Sequence, residues 1–448
     1  MKLRIGLIAV LFYPFLNTLQ AQGAADTAIY RFSVQQCVDY AARNNVQVRN
    51  ALLDFKLQEQ TNRGITGMAL PTLSATAGLT DYTNLPTSLL PGEFFGQPAG
   101  TFVPLKFGTK YNANAGITLQ QVLFDGQVFV GLQARKTSLD WAQKNIEVTQ
   151  EAIKTNIYKI YYQLAVSKTQ IALLDANIAR SQKLYNDSKA LYENGFAEKT
   201  DVDRASVQLA NLETEKFTTQ NTIDNGYLGL KLLMGMPIAD SLVLTDQITD
   251  DKIKEGLLNE GIYQYGDRKD FQYATLGIQL DQYNVKRYKL SYLPTLNLNG
   301  SLAKTAQRTK FDIFGSGSWF TTTYFGVSMN IPIFDGFQRE ANIEKAKLQL
   351  QEAQNQLDNL KMSIDNDVKV ATNNFHNAIT TMDFQKKNMQ LAEQVYDQTK
   401  KKYEAGTGST TDITNAETDL KSAQTNYINA LYDAIIAKVD YLKAIGKL

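Results

Sequence analysis

Residues 124–195 read FDGQVFVGLQARKTSLDWAQKNIEVTQEAIKTNIYKIYYQLAVSKTQIALLDANIARSQKLYNDSKALYENG, and residues 334–406 form a second stretch of the same design. Both open with Phe-Asp-Gly, and both close with Tyr-Glu-x-Gly. Neither contains a proline, and a continuous helix over either would be roughly 100 Å long at about 1.5 Å per residue. Compact domains rarely hold such a helix. The pair therefore predicts a tube, a fibre or a bridge.

Apolar residues recur every seven positions in both stretches, and the two series lie 211 residues apart (Leu132 to Ile343). The first series is Leu132, Leu139, Ile146, Ile153 and Ile160, and the second is Ile343, Leu350, Leu357 and Ile364. A sustained seven-residue period indicates supercoiled helix packing, and its repetition indicates internal duplication. A plain antiparallel coiled coil would show the same heptads, so the period alone leaves both architectures open.

The first 22 residues have the features of a secretory signal peptide. Lys2 and Arg4 precede a short apolar run, and Ala21 offers a small residue at a cleavage site.

The chain has 46 basic and 45 acidic residues, which gives no support for nucleic-acid binding. Its single cysteine and single histidine give little support for a metal site, and we predict no cofactor and no metal.

Four segments change to a period of two, with small polar residues on the alternate positions. They are Pro71–Thr80, Asn112–Gln120, Pro294–Leu302 and Tyr324–Ile331. Their length suits tilted membrane strands, although a half-buried soluble sheet would look similar. Four strands cannot close a membrane barrel, and an open edge in lipid would leave backbone groups unpaired. If these strands cross a membrane, the chain must oligomerise through its sheet.

The remaining segments predict shorter helices. They run from Ser33 to about Gly64, from Asp201 to Met234, from Asp412 to Ile445, and from about Gly256 to Tyr292 with breaks near Gly261 and Gly266. Leu242–Leu244 is a possible short strand, and the residues ahead of Ser33 read as a polar linker. Two shorter helices end to end match one long helix in length. Each half of the chain is thus predicted to form helical rods, with the strands at one end of the rods and the helical tips at the other.

The chain resembles the TolC-like outer-membrane efflux proteins of bacteria over nearly its whole length. The duplicated Phe-Asp-Gly and two helical tips carry the resemblance; the tips read GFAEKTDV from Gly195 and GTGSTTDI from Gly406. Arg268-Lys269-Asp270 is similar to the start of the family's second half, which usually has proline at the middle position. These motifs, taken together and in this order, are more specific for the family than any single motif.

The resemblance implies a mainly α fold with a transmembrane β part, in which a trimer forms a long coiled-coil α-barrel and a 12-stranded β-barrel. The expected organisation is a signal peptide (1–22), a first structural repeat (23–247) and a second (248–448). Within these, 71–124 and 294–334 would be the outer-membrane strands and loops, in contact with lipid. The remainder would form a periplasmic helical tunnel and an equatorial region.

The resemblance also implies where the channel would close. Acidic residues after the second tip glycine form a ring at the family's closed entrance; Asp412 matches one position, and Asn415 occupies the other. Tyr403 and Asp201 match positions that lock neighbouring tips, but Gly408 stands where the family has a basic partner. From the residues alone, Asp201 and Asp412 would equally suit the start of a helix, and Tyr403 would suit packing.

The implied function is an outer-membrane exit duct of a tripartite efflux or type I secretion system, which exports small molecules or polypeptides passively. The tips, including Gly195, Thr200, Gly406 and Thr411, would dock a periplasmic adaptor, and an inner-membrane transporter would supply energy. We expect no catalysis, since no nucleophile elbow, phosphate loop or histidine-based triad is evident. The alternative is an exported coiled-coil scaffold without a pore.

Overall fold

The computed structural model describes residues 28–246, 253–254 and 263–448. The predicted signal peptide (1–22) lies outside the described residues, as do Gly256 and Gly261. The main elements, in chain order, are β1 (Ile29–Phe32), α1 (Val34–Asn44), α2 (Val46–Met68), β2 (Thr72–Asp81), β3 (Thr87–Pro91), β4 (Phe102–Lys106), β5 (Tyr111–Phe124), α3 (Gly126–Glu193), α4 (Lys199–Met234), β6 (Ser241–Leu244), α5 (Lys269–Leu290), β7 (Thr295–Arg308), β8 (Phe320–Asn330), α6 (Gln338–Glu404) and α7 (Thr410–Ala444).

The two long helices are confirmed: α3 has 68 residues and α6 has 67, each followed by a helix about half as long. Their starts differ although both lie at a Phe-Asp-Gly motif: α3 begins at its glycine and α6 two residues after it. The side chain of Asp125 accepts hydrogen bonds from the backbone N–H groups of Gln127 and Val128. Its counterpart Asp335 instead accepts from Arg339 N, and α6 begins after Phe337 in a left-handed conformation (φ 66°). One duplicated motif therefore starts a helix in two ways.

The single helix predicted from Ser33 to about Gly64 is wrong, because the chain breaks at Asn45. This residue has an extended backbone, and its side-chain oxygen accepts from Gln47 N (2.7 Å) and Val48 N (3.2 Å). Asparagine is among the strongest helix N-caps. Its amide nitrogen also donates to Leu233 O (2.6 Å), which ties the break to the end of α4.

The main sheet is antiparallel with strand order β2-β5-β7-β8, so the hairpins of the two halves meet where β5 pairs with β7. All four predicted strands are present, and β5 and β7 extend to 14 residues. Within the described chain, β2 and β8 each pair on one side only. Residues 87–106, predicted as loop, include a small hairpin of β3 and β4.

A separate two-stranded parallel sheet joins the N-terminal region to the middle of the chain. The predicted strand at Leu242–Leu244 is confirmed as part of β6, and it pairs with β1. The segment ahead of Ser33 is therefore a strand and not the polar linker that its sequence suggested. The hydroxyl of fully buried Tyr161 on α3 donates to Phe32 O and accepts from Asp246 N, which anchors both strand ends.

The break predicted near Gly266 is confirmed: Gly266 lies in a short 3-10 turn, and α5 follows it from Lys269 to Leu290, while residues 256–262 lie outside the described part of the chain. Arg268 precedes α5 and is nearly buried; its guanidinium pairs with Asp270 at the helix start and reaches Asp367 on α6 (3.5 Å). No helix in the described part of the chain is apolar enough over a sufficient length to cross a membrane.

Candidate functional site: the paired helical tips

Two tight turns connect the long helices to their shorter partners. Gly195 follows α3 with φ 80°, and Gly406 follows α6 with φ 73°. Each glycine N–H donates to the carbonyl of the tyrosine three residues earlier, at 2.9 Å in both turns. The left-handed conformation strongly favours glycine. Both predicted tip glycines therefore have a structural role in ending the long helices.

The short helices start with related arrangements of an acidic residue. In the second tip, Ser409 N donates to Asp412 Oδ2 (3.2 Å) and Asp412 N donates to Ser409 Oγ (3.1 Å), which is a reciprocal capping box. In the first tip, Glu198 N donates to Asp201 Oδ2 (3.3 Å), and Thr200 donates to the Glu198 side chain (3.1 Å). The hydrogen bonds from Ser409 lower the pKa of Asp412 below its usual value. Asp412 is therefore an exposed carboxylate that stays charged.

The two tips lie side by side. Arg204 near the start of α4 donates from Nη1 to Thr411 Oγ1 (3.2 Å) at the start of α7. Lys183 on α3 forms an ion pair with Glu404 at the end of α6 (3.2 Å). Beneath these contacts is an apolar cluster, which we call the tip cluster: Leu184, Ala205, Tyr396, Ile413, Ala416 and Leu420. Residues more than 200 positions apart are thus brought to one end of the molecule.

The structure places the sequence-predicted residues at this end but does not join them all. Asp412 and Asn415 are exposed on α7. Tyr403 packs against the tip cluster, and its hydroxyl is buried with no hydrogen-bond partner among the described residues. The carboxylate of Asp201 bonds within its own tip instead. Within one chain, Tyr403 and Asp201 therefore form no lock.

Sequence reasoning missed a row of buried polar residues where α3 faces α7 beside the tip cluster. Asn177 donates from its amide to Gln424 Oε1 (2.9 Å), and both residues are buried. Glu417, about two turns nearer the tip than Gln424, is 7 % exposed, and neither of its carboxylate oxygens has a partner among the described residues. Burial raises the pKa of Glu417 to about 7, and Arg180 acts in the opposite direction.

A heptad argument could have found this row. Ile413 and Leu420 are buried seven residues apart on α7, and Glu417 stands between them at the spacing of a second seam position. A charged residue at such a position contradicts the apolar pattern that builds a coiled coil.

The described residues contain no group of three or more histidine, cysteine or acidic side chains that could hold a metal ion.

Comparison with known proteins agrees with this architecture. The model of the outer membrane efflux protein family matches residues 38–236 and 266–447. The outer membrane protein TolC of Vibrio cholerae is 22% identical over 338 residues, which cover 75% of this chain and 77% of that protein.

Two solved structures share the fold. VceC, an outer membrane protein of Vibrio cholerae, superposes with a TM-score of 0.72 at 18% identity, covering 92% of this chain and 96% of VceC. The open state of the MtrE outer membrane channel of Neisseria gonorrhoeae gives a TM-score of 0.73 at 18% identity, with 92% and 88% covered. The resemblance inferred from the tips is confirmed, and these matches give no support to the scaffold alternative. The chain belongs to the outer membrane efflux protein family, whose members lie in the outer membrane and act as exit ducts for efflux or secretion.

Proposed function

We propose that three copies of this chain form one gated duct, to which each copy contributes four strands of a 12-stranded barrel and a set of helical rods. The observation that carries this proposal is the sheet β2-β5-β7-β8, which has two unpaired edges within the described chain. Unpaired strand edges in lipid cost several kcal/mol per group, about the price of a lost hydrogen bond in an apolar medium. Pairing β8 of one copy with β2 of the next removes every such edge.

One face of this sheet suits contact with lipid. Aligned residues on that face are large, apolar and exposed, among them Leu73, Ile117, Leu302, Phe325, Val327 and Met329. The charged residues on the same face, Asp81, Lys304 and Arg308, lie toward the loop end of the hairpins. The opposite face carries polar pairs such as Ser74–Thr118 (2.6 Å) and Asn299–Ser328 (2.8 Å). An apolar outside and a polar inside are typical of transmembrane strands around an aqueous lumen.

The tips would be the gated entrance at the far end of the rods. Three copies would bring three Asp412 carboxylates into one ring, with Asn415 beside each and Tyr403 and Asp201 close to the neighbouring copy. The exposed turns containing Gly195, Thr200, Gly406 and Thr411 would dock a periplasmic adaptor, and an inner-membrane transporter would deliver the cargo. Opening would part the rods that flank each tip. The duct conducts passively and performs no catalysis.

The assembly is tested by the native mass of the protein extracted from outer membranes in detergent, followed by conductance in planar bilayers. We expect a stable trimer that conducts. A monomer, or a dimer that stays soluble without detergent, would contradict the proposal, because its four strands could not close.

A matched pair of variants tests which face meets lipid. Val327 and Ser328 are adjacent on β8, both are exposed, and their side chains point to opposite faces. Val327→Lys should reduce assembly in the outer membrane strongly, since a lysine facing lipid costs about 2–4 kcal/mol near the bilayer midplane. Ser328→Lys should assemble normally and alter only ion selectivity. Equal assembly of the two variants would contradict the orientation of the sheet.

A further inference from the structure

The contact between α3 and α7 near the tips contains buried polar side chains beside the apolar residues of the tip cluster. Extending the Asn177–Gln424 pair in antiparallel heptad register places Ser181 opposite Leu420 and Ser188 opposite Ile413. We call the buried polar residues that this register places on the facing sides of α3 and α7 the polar seam: Asn177, Ser181, Ser188, Glu417 and Gln424. The hydroxyls of Ser181 and Ser188 also have no hydrogen-bond partner among the described residues. Unsatisfied polar groups weaken a buried contact.

Glu417 is the most costly member of the polar seam. Its two carboxylate oxygens are shielded from solvent, and no donor among the described residues reaches them. An ionised carboxylate that loses water without gaining donors is strongly disfavoured, so the group keeps its proton instead. In the packed arrangement Glu417 is thus a carboxylic acid at pH values where an ordinary glutamate is ionised.

The charged and titratable groups around Glu417 do not satisfy it. On α3, the Arg180 guanidinium donates to Asn177 and lies 5.5 Å from the Tyr396 ring centre. On α6, burial and the nearby Glu417 raise the pKa of Tyr396 to about 12, so its phenol stays neutral, and the Tyr403 hydroxyl has no hydrogen-bond partner within the described part of the chain. On α7 itself, Lys421 pairs with Glu215 of α4, and Asp412 bonds to Ser409.

We propose that Glu417 is a proton-binding site that controls how firmly α7 is held against α3: the protonated seam stays packed, and loss of the proton parts it. If the chain forms the duct proposed above, the parting of this seam would favour an open entrance. Asp412 cannot supply this response near neutral pH, because its pKa is lowered rather than raised. The buried carboxyl and the exposed entrance carboxylate therefore have separate roles.

The direction of the pH effect follows from the environment of the group. Its pKa rises from 4.5 in water to about 7 in the packed seam, so the packed form binds the proton more tightly than the parted form. Protonation therefore stabilises packing fully below the ordinary pKa, and this contribution is lost as the pH rises toward 7. Between the two pKa values the population of the parted form should rise by up to about tenfold per pH unit.

Hydrogen–deuterium exchange of the purified full-length protein in detergent tests this directly. Protection factors of peptides covering residues 410–424 are measured from pH 5 to 8, with intrinsic exchange rates divided out. We expect wild-type protection to fall by at least tenfold over this range. Glu417→Gln, which cannot ionise, should remain protected throughout. The matched control Asp419→Asn removes an exposed carboxylate of the same helix and should behave as wild type.

A second variant keeps the test valid if Glu417→Gln does not assemble. Arg180→Met removes the charge that lowers the pKa of Glu417, so the loss of protection should move to higher pH. Wild-type protection that is independent of pH would overturn the proposal, as would an Arg180→Met profile with an unchanged midpoint.

Hydrogen exchange reports on the packing of the polar seam and not on conduction. A protein that forms no pores but loses protection would refute only the duct, and a conducting protein with a pH-independent seam would refute only the proton site.

Discussion

The helices α4 and α7 occupy equivalent positions in the two halves of the chain but have different surroundings. α7 contacts α3, α4 and α6, and residues such as Leu420 and Ala434 are almost completely buried. α4 packs mainly on α3, and it leaves Phe217 77% exposed and Leu232 75% exposed. The duplicated unit thus serves once as an interior helix and once as an outer one. The apolar surface of α4 is available to a neighbouring copy.

Truncating a leucine on each helix should give the largest contrast. Leu420→Ala removes a side chain that is 2% exposed within the tip cluster, and should lower the free energy of unfolding by about 2–5 kcal/mol. Leu232→Ala makes the same chemical change on exposed α4 and should cost less than about 1 kcal/mol in the isolated chain. Denaturant unfolding of both detergent-solubilised variants measures the difference. Equal losses would show that the two helices are equally buried in the assembly.

The exposed side of α4 should matter for association between copies. Phe217→Ala should weaken the trimer by more than about 1 kcal/mol, since buried aromatic residues dominate interfaces. Native mass measured over a dilution series would show dissociation at higher protein concentration than in wild type. Gln220→Ala, an exposed polar change one turn away, is the control. A trimer unaffected by Phe217→Ala would place the interface elsewhere.

The start of α7 should be weakened by loss of its N-terminal cap. Ser409→Ala removes the oxygen that accepts from Asp412 N, which should destabilise the first turn of α7 by about 1 kcal/mol. The same change should raise the pKa of Asp412 toward its usual value, because the bonds to Ser409 lower it. In wild type the stabilisation from this carboxylate is present above its ordinary pKa and is lost only as the pH falls through the lowered value. NMR titration of Asp412 measures the shift; an unchanged pKa would contradict this cause.

The smallest effect concerns ion selectivity at the entrance. Asp412→Ala should lower the preference for cations in single-channel recordings, since three exposed carboxylates would be lost from the trimer. Asn415→Asp should raise the preference by adding a charge close by. Both residues are exposed on α7. Asn415→Asp should leave trimer stability unaltered, whereas Asp412→Ala also removes the acceptor of the Ser409 N–H and should cost about 1 kcal/mol at the first turn of α7. If selectivity does not change in either variant, the ring is not at the narrowest point.

Much of the fold could be predicted because local rules dominate it. The heptads and the absence of proline predicted most of the ends of α3 and α6 to within two residues. The alternation of apolar and polar residues located the four long strands. The break at Asn45 was missed because the apolar pattern continues through it. The strand β1 was missed because a four-residue strand has too few residues to show a period, and its partner β6 is about 210 residues away.

The candidate site was predicted only in outline. The glycines at 195 and 406 are required by local backbone geometry, so they could be read from the sequence. The contacts Arg204–Thr411 and Lys183–Glu404 join segments that no local pattern connects. Gly408 has no side chain and so adds no charge to the tip; its backbone N–H donates to Lys402 O.

Local sequence patterns account for the long helices, the turns between them and the alternation of the strands, because these depend on neighbours within a few residues. Which of the two equivalent short helices became the inner one depends instead on contacts between segments far apart in the chain. Packing between distant helices also raises the pKa of Glu417 to about 7, while the pKa of Asp412 is lowered. Both are acidic residues of α7, five positions apart: burial shields Glu417 from water and raises its pKa, whereas hydrogen bonds from Ser409 lower the pKa of exposed Asp412.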